Sequence, residues 1–318
     1  MSRRAVIVVF TLGSLAWRVA ADAQSWQPPA TSQRCPSKWG ADDERGAANH
    51  VTPANILRAV TLIRTGAIIE LGHELGADIP LVPGRRVDIL TKRTTGPVGT
   101  NKRYSNEELV VTELGQVGTQ LDMFSHQGMD GLLYNCVKID EVGTRTGFTR
   151  LGVERIGALL TRGVLVDVAG LKGVDMLPVD HEISVADIEA ALARAQITLQ
   201  SGDAVLFHTG WGRLWGADNA RYATSAPGIG VAAAEWLARK DVMLLGSDTG
   251  PVEILPNPDK QVDLPVHQIA LVVNGIFLLE NLKLDELAAK RIYEFAFVVQ
   301  PLKIRGGTGS TVAPIAVY

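Results

Sequence analysis

Cysteine occurs only twice in the 318 residues, at Cys35 and Cys136. Two cysteines cannot build the disulfide framework of a small secreted module. An oxidising compartment would permit one bond between them, closing a loop of about 100 residues worth up to ~4–5 kcal/mol in the chain-entropy picture. Two separate thiols are an equal alternative. An excess of basic charge is also missing. The chain carries 31 Lys and Arg against 34 Asp and Glu, for a formal charge of −3, which gives no electrostatic reason to bind nucleic acid or anionic lipid. Beyond Trp17 no apolar stretch reaches the ~20 residues that a membrane-crossing helix needs. Internal repeats, low-complexity segments and linkers rich in Pro, Gly or Ser are absent, so the body of the chain reads as one domain.

The first residues read differently from the rest. Arg3 and Arg4 precede an uncharged apolar run from Ala5 to Trp17, and Ala21-Asp22-Ala23 offers a small-x-small site before Gln24. That order is a secretory signal peptide over residues 1–23, with Ser2-Arg3-Arg4 weakly resembling a twin-arginine start. Its removal takes away Arg3, Arg4, Arg18 and Asp22, leaves residues 24–318 and moves the formal charge to −5. The expected destination is the periplasm or the exterior.

The mature part alternates strand and helix patterns. A polar start feeds a helix near Pro53–Thr65, and Ala67–Leu71 reads as a strand. Strands are predicted at Gly163–Val168, Asp203–His208, Val242–Gly246, Gly275–Leu279 and, as a long final strand, Phe295–Ile304. Helices are predicted after Ser184, at Val231–Arg239, at His267–Val273 and at Leu284–Tyr293. This is an α/β fold. The early strands lack helices between them, so the central sheet should be mixed.

The segment "GQVGTQLDMFSH", Gly115–His126, places Gln116, Gln120, Asp122 and His126 within twelve residues on an apolar ground. Burying four polar side chains without partners is costly, which favours a shared partner such as a cation. Downstream, "HQIALVVNGIFLLEN" sets His267 ahead of a helix and strand that close on Glu280. His208 and Asp248 end two further strands, where sites in α/β sheets collect. Trp211 and Trp215 in "HTGWGRLWG" would either wall an aromatic pocket or sit in the core. His50, His73 and His181 read as surface residues.

"GQVGTQLDMFSH" resembles the H-x-G-T-H-x-D-x-P-x-H signature of the cyclase family that includes bacterial kynurenine formamidase and isatin hydrolase. "KWGADDERGAANHVTP", "VLFHTGW", "PGIGVAAAEWLARKDVMLLGSDT", "HQIALVVNGIFLLENL" and "PLKIRGGTGSTVAPIA" are similar to further blocks of it, in order. The resemblance implies a single domain with a mixed sheet or barrel-like core flanked by helices, of the swivelling β/β/α type. It also implies a homo-oligomer and a metal-dependent hydrolase acting on a small molecule. Residue by residue, the two histidines of the first metal fall on Gln116 and Gln120 and the bridging aspartate on Asp122. The catalytic histidine falls on His126, the histidine of the second metal on His267 and the bridging glutamate on Glu280. A substrate-contacting tryptophan falls on Trp39; from the residues themselves, His208 at its strand end and Trp211 in "HTGWGRLWG" are further candidate substrate contacts. The motif proline is replaced by Phe124, and Gln120 marks a G-T-Q-x-D branch.

An amide is a far weaker ligand than an imidazole. Two such replacements should empty the first position or make it oxygen-rich, leaving about one Zn²⁺, Mn²⁺ or Fe²⁺ per chain on Asp122, His267 and Glu280. The expected chemistry is opening of an amide or lactone bond by metal-activated water. The alternative is an exported binding protein that kept the pocket and lost turnover. For the leader, N-terminal sequencing of exported material should begin at Gln24; a mature chain that retains Ala5–Trp17 would contradict the signal peptide.

Overall fold

The computed structural model describes residues 25–318; the leader predicted over residues 1–23 lies outside the described residues. They form a single α/β domain around a mixed nine-stranded sheet. The strands that matter below are β1 (Ile68–Glu70), β2 (Val87–Val98), β3 (Arg103–Thr112), β4 (Gln120–Asp122), β5 (Leu159–Asp167), β6 (Ala204–His208), β7 (Leu244–Ser247), β8 (Phe277–Glu280), β9 (Glu294–Val299), β10 (Gly309–Thr311) and β11 (Ile315–Val317). The sheet runs β1-β11-β9-β5-β6-β7-β8-β4-β10. Its centre, β5 to β8, is parallel, and every pairing outside that centre is antiparallel. The sheet is mixed, as the early strands without helices between them predict.

The parallel strands are continuous apolar runs because helices cover them and both faces are buried. Val205, Leu206, Phe207, Leu244, Leu245, Phe277, Leu278 and Leu279 are all fully inaccessible. The helix Val185–Ala195 starts where Ser184 accepts from Asp187 N while the Asp187 carboxylate accepts from Ser184 N, a reciprocal cap. Among the described residues no helix is long and apolar enough to cross a membrane.

Several elements differ from expectation. The last long strand stops at Val299, before Pro301, and the chain returns as β10 at one edge of the sheet and as β11 between β9 and the opposite edge strand β1. Each has three residues, too few to show a period. The segment after His267 is a π-helix over Gln268–Asn274. The ribbon β2–β3 went unpredicted, because charges interrupt its alternation and Gly96-Pro97 interrupts its first strand. Cys35 and Cys136 form a disulfide. It ties the N-terminal segment to the turn Tyr134–Cys136, where the Asn135 side chain donates to Gly40 O and Ala41 O and accepts from Ser37 N.

His208 sits at the end of β6, beside Asp167 at the end of β5. Its Nδ1 is 2.7 Å from Asp167 Oδ1 and its Nε2 is 3.7 Å from Asp285 Oδ1, at the start of the helix Asp285–Lys290. Burial opposes charge on this ring, but the hydrogen bond to Asp167 and the nearby Asp285 carboxylate outweigh it and push its pKa up to about 10. His208 is therefore an ion-paired clasp between two strand ends and a helix. His73 is not a surface residue either: its ring stacks on Trp215 at 4.1 Å, and burial pushes its pKa down to about 4. His50 is partly buried between Ser201 and Asp241, and His181 lies near Asp187.

A histidine that titrates near 6.5 when unfolded and about 10 when folded stabilises the fold fully below pH 6.5. That contribution fades as pH rises toward 10. His208→Gln should lower stability by roughly 3 kcal/mol at neutral pH and flatten the decline in melting temperature between pH 7 and 10 that the wild type shows. Equal slopes in the two proteins would contradict the clasp.

Candidate active site

The site is built on the register of β4 against β8. Glu280 lies opposite Gln120, and Leu278 lies opposite Asp122. Residues two apart on a strand share a face, so Gln120 and Asp122 project together with Glu280 beside them. All three are buried. On the other edge β10 pairs with β4, placing Gly309 opposite Asp122. A Cβ at Gly309 would stand 2.7 Å from Gly115 O and 3.2 Å from Gln116 Nε2, so only glycine lets the Gln116 loop close over this strand. His126 follows one turn later, its N–H donating to Met123 O. His267 comes from the short helical turn Pro265–His267.

Asp122 Oδ2 is buried and has no hydrogen-bond partner. His126 Nε2 lies 3.7 Å from it and His267 Nε2 3.8 Å. Glu280 Oε1 is 3.2 Å from the same His267 nitrogen. One potential ligand atom from each of Asp122, His126 and His267 falls within 4.8 Å of the others. Burial, together with the neighbouring Asp122, pushes Glu280 up to about 7. Burial opposes charge on His267, but hydrogen bonds to Glu253 and Glu280 hold it well above its usual value. Burial pushes His126 down, against the pull of Asp122. Two carboxylates and two imidazoles around an unpartnered oxygen suit a single divalent cation of the Zn²⁺, Mn²⁺ or Fe²⁺ kind.

The two glutamines belong to the same cluster and present nitrogen to it. Gln120 Nε2 donates to Glu280 Oε2 at 2.8 Å and lies 3.3 Å from Gln116 Oε1; Gln116 Nε2 donates to Asp122 Oδ1 at 3.3 Å. Arg85 fixes this orientation, donating to Gln116 O at 2.6 Å and approaching Gln116 Oε1 at 3.5 Å.

Three residues that the sequence did not single out complete the arrangement. Glu253 is fully buried and accepts from Val266 N, His267 N and, at 2.6 Å, His267 Nδ1. This leaves Nε2 of His267 facing the cluster. A carboxylate inside "PVEILP" was the available signal. Asn281 donates to Gly118 O and accepts from Tyr222 Oη. Arg85, from "PGRRVD", reaches the site from the foot of β2. The cluster opens into a cavity of about 270 Å³. Arg85, His126, Gln127 and Asn281 supply its polar wall, and Val82, Val117, Leu255 and Leu264 line the rest.

Three expected substrate contacts do not line this cavity. Trp39 lies in a separate depression with His50 and Tyr134, its ring edge-on to His50 at 5.1 Å. Trp211 is fully buried in a small core with Tyr222 and Ala226. His208 is bonded through Nδ1 to Asp167, with Asp285 3.7 Å from its Nε2. Asp248, which ends the neighbouring strand, accepts from Thr209 N, Thr209 Oγ1 and Gly210 N and holds a turn.

The family model described as Putative cyclase matches residues 69–254. A solved structure described as a novel cyclase superposes with a TM-score of 0.81 at 31% identity, over 88% of this chain and 98% of its own. Isatin hydrolase A from Ralstonia solanacearum matches with a TM-score of 0.57 at 22% identity, over 84% of this chain and 98% of its own. An isatin hydrolase bound to the product analogue thioisatinate matches with a TM-score of 0.60 at 19% identity, over 84% and 99%. These last two share the fold. No curated protein matches the chain.

Carboxylates that orient ligating histidines typically contribute 10–100-fold to metal affinity. Glu253→Gln should therefore weaken divalent-cation binding by about that factor, read by competition with a chelating dye. Unchanged affinity would show that Glu253 only braces the turn.

Proposed function

The chain belongs to the Putative cyclase family, and we propose that it is a metal-dependent hydrolase of a small cyclic or aromatic amide or lactone. The observation that carries this reading is the unpartnered, buried Asp122 Oδ2 with two imidazole nitrogens turned toward it. Asp122, His267 and Glu280 would hold one divalent cation. Such a cation, when bound, acidifies water and polarises a carbonyl. Glu253 holds the His267 ring with Nε2 inward. Gln116 and Gln120 hold the two carboxylates from the other side.

His126 faces the cavity and is the residue placed to move a proton from the attacking water to the leaving nitrogen or oxygen. Its lowered pKa keeps the ring neutral and able to accept that proton near neutral pH. Hydrolysis of either bond type releases a carboxylate, and Arg85 in the cavity wall offers it a guanidinium. The apolar wall fits a flat or aliphatic ring. A likeness in fold to an isatin hydrolase solved with thioisatinate is in keeping with a cyclic amide.

A second reading of His126 has its own support, since Nε2 lies close enough to Asp122 and His267 to share a cation. His126→Ala separates the two. As a proton carrier, the variant should keep its metal and fold and lose ~10²–10⁴-fold in turnover of whichever lactone, imide or N-formyl aromatic the wild type hydrolyses in a screen. As a ligand, it should lose the metal as well. A wild type that binds such compounds and turns none over would overturn the enzyme reading.

A further inference from the structure

We propose that Asp263 is a specificity-determining residue of the cavity: its carboxylate favours substrates whose ring carries a cationic substituent away from the scissile bond and turns anionic ones away. This rests on the reading of the cavity as the place where hydrolysis releases a carboxylate, and it narrows the substrate class. Apart from the carboxylates and imidazoles of the cluster, two charged side chains line the cavity, Arg85 and Asp263. Arg85 comes from the foot of β2 and is engaged with Gln116. Asp263 comes from the segment that leads into His267 and is exposed. Among the described residues its carboxylate has no ion-pair or hydrogen-bond partner, whereas Asp259, four residues earlier, accepts from Gln261 N. Much of the remaining wall is apolar, with Leu255 and Leu264 on the same segment. In an apolar cavity a few placed polar groups decide orientation and selectivity.

The backbone fixes where Asp263 stands. Leu264 takes the left-handed conformation at φ 45° and ψ 53°, which is rare for a residue with a bulky side chain. Pro265 follows it, and Val266 N and His267 N both donate to Glu253. The buried carboxylate that orients the His267 ring therefore also clamps the turn that carries Asp263. A conformation of this kind persists only where the surroundings over-determine it, and such positions cluster at sites that bind ligands. The consequence for a substrate is directional. Its reacting end lies at the cluster, where Arg85 and a divalent cation would take the carboxylate that forms. A second anion on the ring meets the Asp263 carboxylate, and an ammonium group complements it. A pair of exposed charges changes affinity by up to about fivefold.

Calorimetric titration of the zinc-loaded protein at pH 7 with three matched aromatic carboxylates tests this, with circular dichroism and metal content as controls on the fold. 4-(Aminomethyl)benzoate should bind about threefold tighter than 4-methylbenzoate, and terephthalate about threefold weaker, a span of about tenfold. Asp263→Asn should collapse that span, and Asp263→Lys should reverse the order. Asp259→Asn makes the same change in net charge on the same segment and should leave the span as it is, which separates a local contact from the general field of the protein. An order that survives Asp263→Asn overturns the proposal, as does a span that shrinks equally in Asp259→Asn, or a failure of all three benzoates to bind. The hydrolase reading stands or falls separately. A protein that shows the charge order yet hydrolyses no lactone, imide or N-formyl aromatic keeps this role for Asp263 and loses the hydrolase. One that hydrolyses such compounds while its affinities ignore Asp263 keeps the hydrolase and loses this role.

Discussion

Two carboxylates, Asp122 and Glu280, are buried on adjacent strands, and the architecture of the site follows from compensating them. Left to themselves they would repel, and burial together with the neighbouring Asp122 works against charge on Glu280. The direction of Glu280, up to about 7, is that tension made visible. The protein answers it from two sides. Gln120 and Gln116 bring amide N–H groups onto one oxygen of each carboxylate. On the other side His126 and His267 turn imidazole nitrogens toward the remaining Asp122 oxygen, which has no other partner. A divalent cation would complete the second side. Through these N–H groups the glutamines compensate the carboxylates on this side; Gln116 Oε1 is taken up by Arg85 and Gln120, and Gln120 Oε1 is buried without a partner.

That arrangement makes demands on the scaffold. The β4–β8 register must place Gln120 against Glu280, and Asn281, Tyr222 and the Gly115–Gly309 approach keep the strand ends and the Gln116 loop together. Arg85 determines which end of the Gln116 amide faces inward. Glu253 does the same for the His267 ring. Neither group need touch a substrate to matter, because each selects an orientation that its neighbour could otherwise invert.

Much of this was legible in the sequence. The four central strands announce themselves as short apolar runs ended by Asp167, His208, Asp248 and Glu280, and their helices carry the 3.6-residue period. The spacing of Gln116, Gln120, Asp122 and His126 identified one half of the cluster, and "HQIALVVNGIFLLEN" the other. What stayed hidden has physical reasons. β10 and β11 are three residues each and owe their conformation to partners far along the chain. The ribbon β2–β3 is almost wholly exposed, so charges interrupt its alternation. Glu253, thirteen to fourteen residues before the groups it binds, looks like an ordinary surface acid. Conversely, strand-end position made His208 look like a site residue, but its Nδ1 is bonded to Asp167 and Asp285 lies 3.7 Å from its Nε2. Trp211 reads from its motif as a pocket wall or a core residue, and it lies fully buried with Tyr222 and Ala226, while Trp39 lines a depression apart from the cluster.

The claim on which the account turns is that Gln116 and Gln120 stand where a first cation would otherwise be held. Its most direct test is the ratio of bound divalent metal to protein, by atomic absorption after gel filtration, in the wild type and in a Gln116→His/Gln120→His double variant. Imidazole nitrogens in place of the two amides remove the donors and add two ligands. The account predicts one ion per chain in the wild type and two in the double variant. Two tightly held ions in the wild type, or a double variant that still holds one, would contradict it.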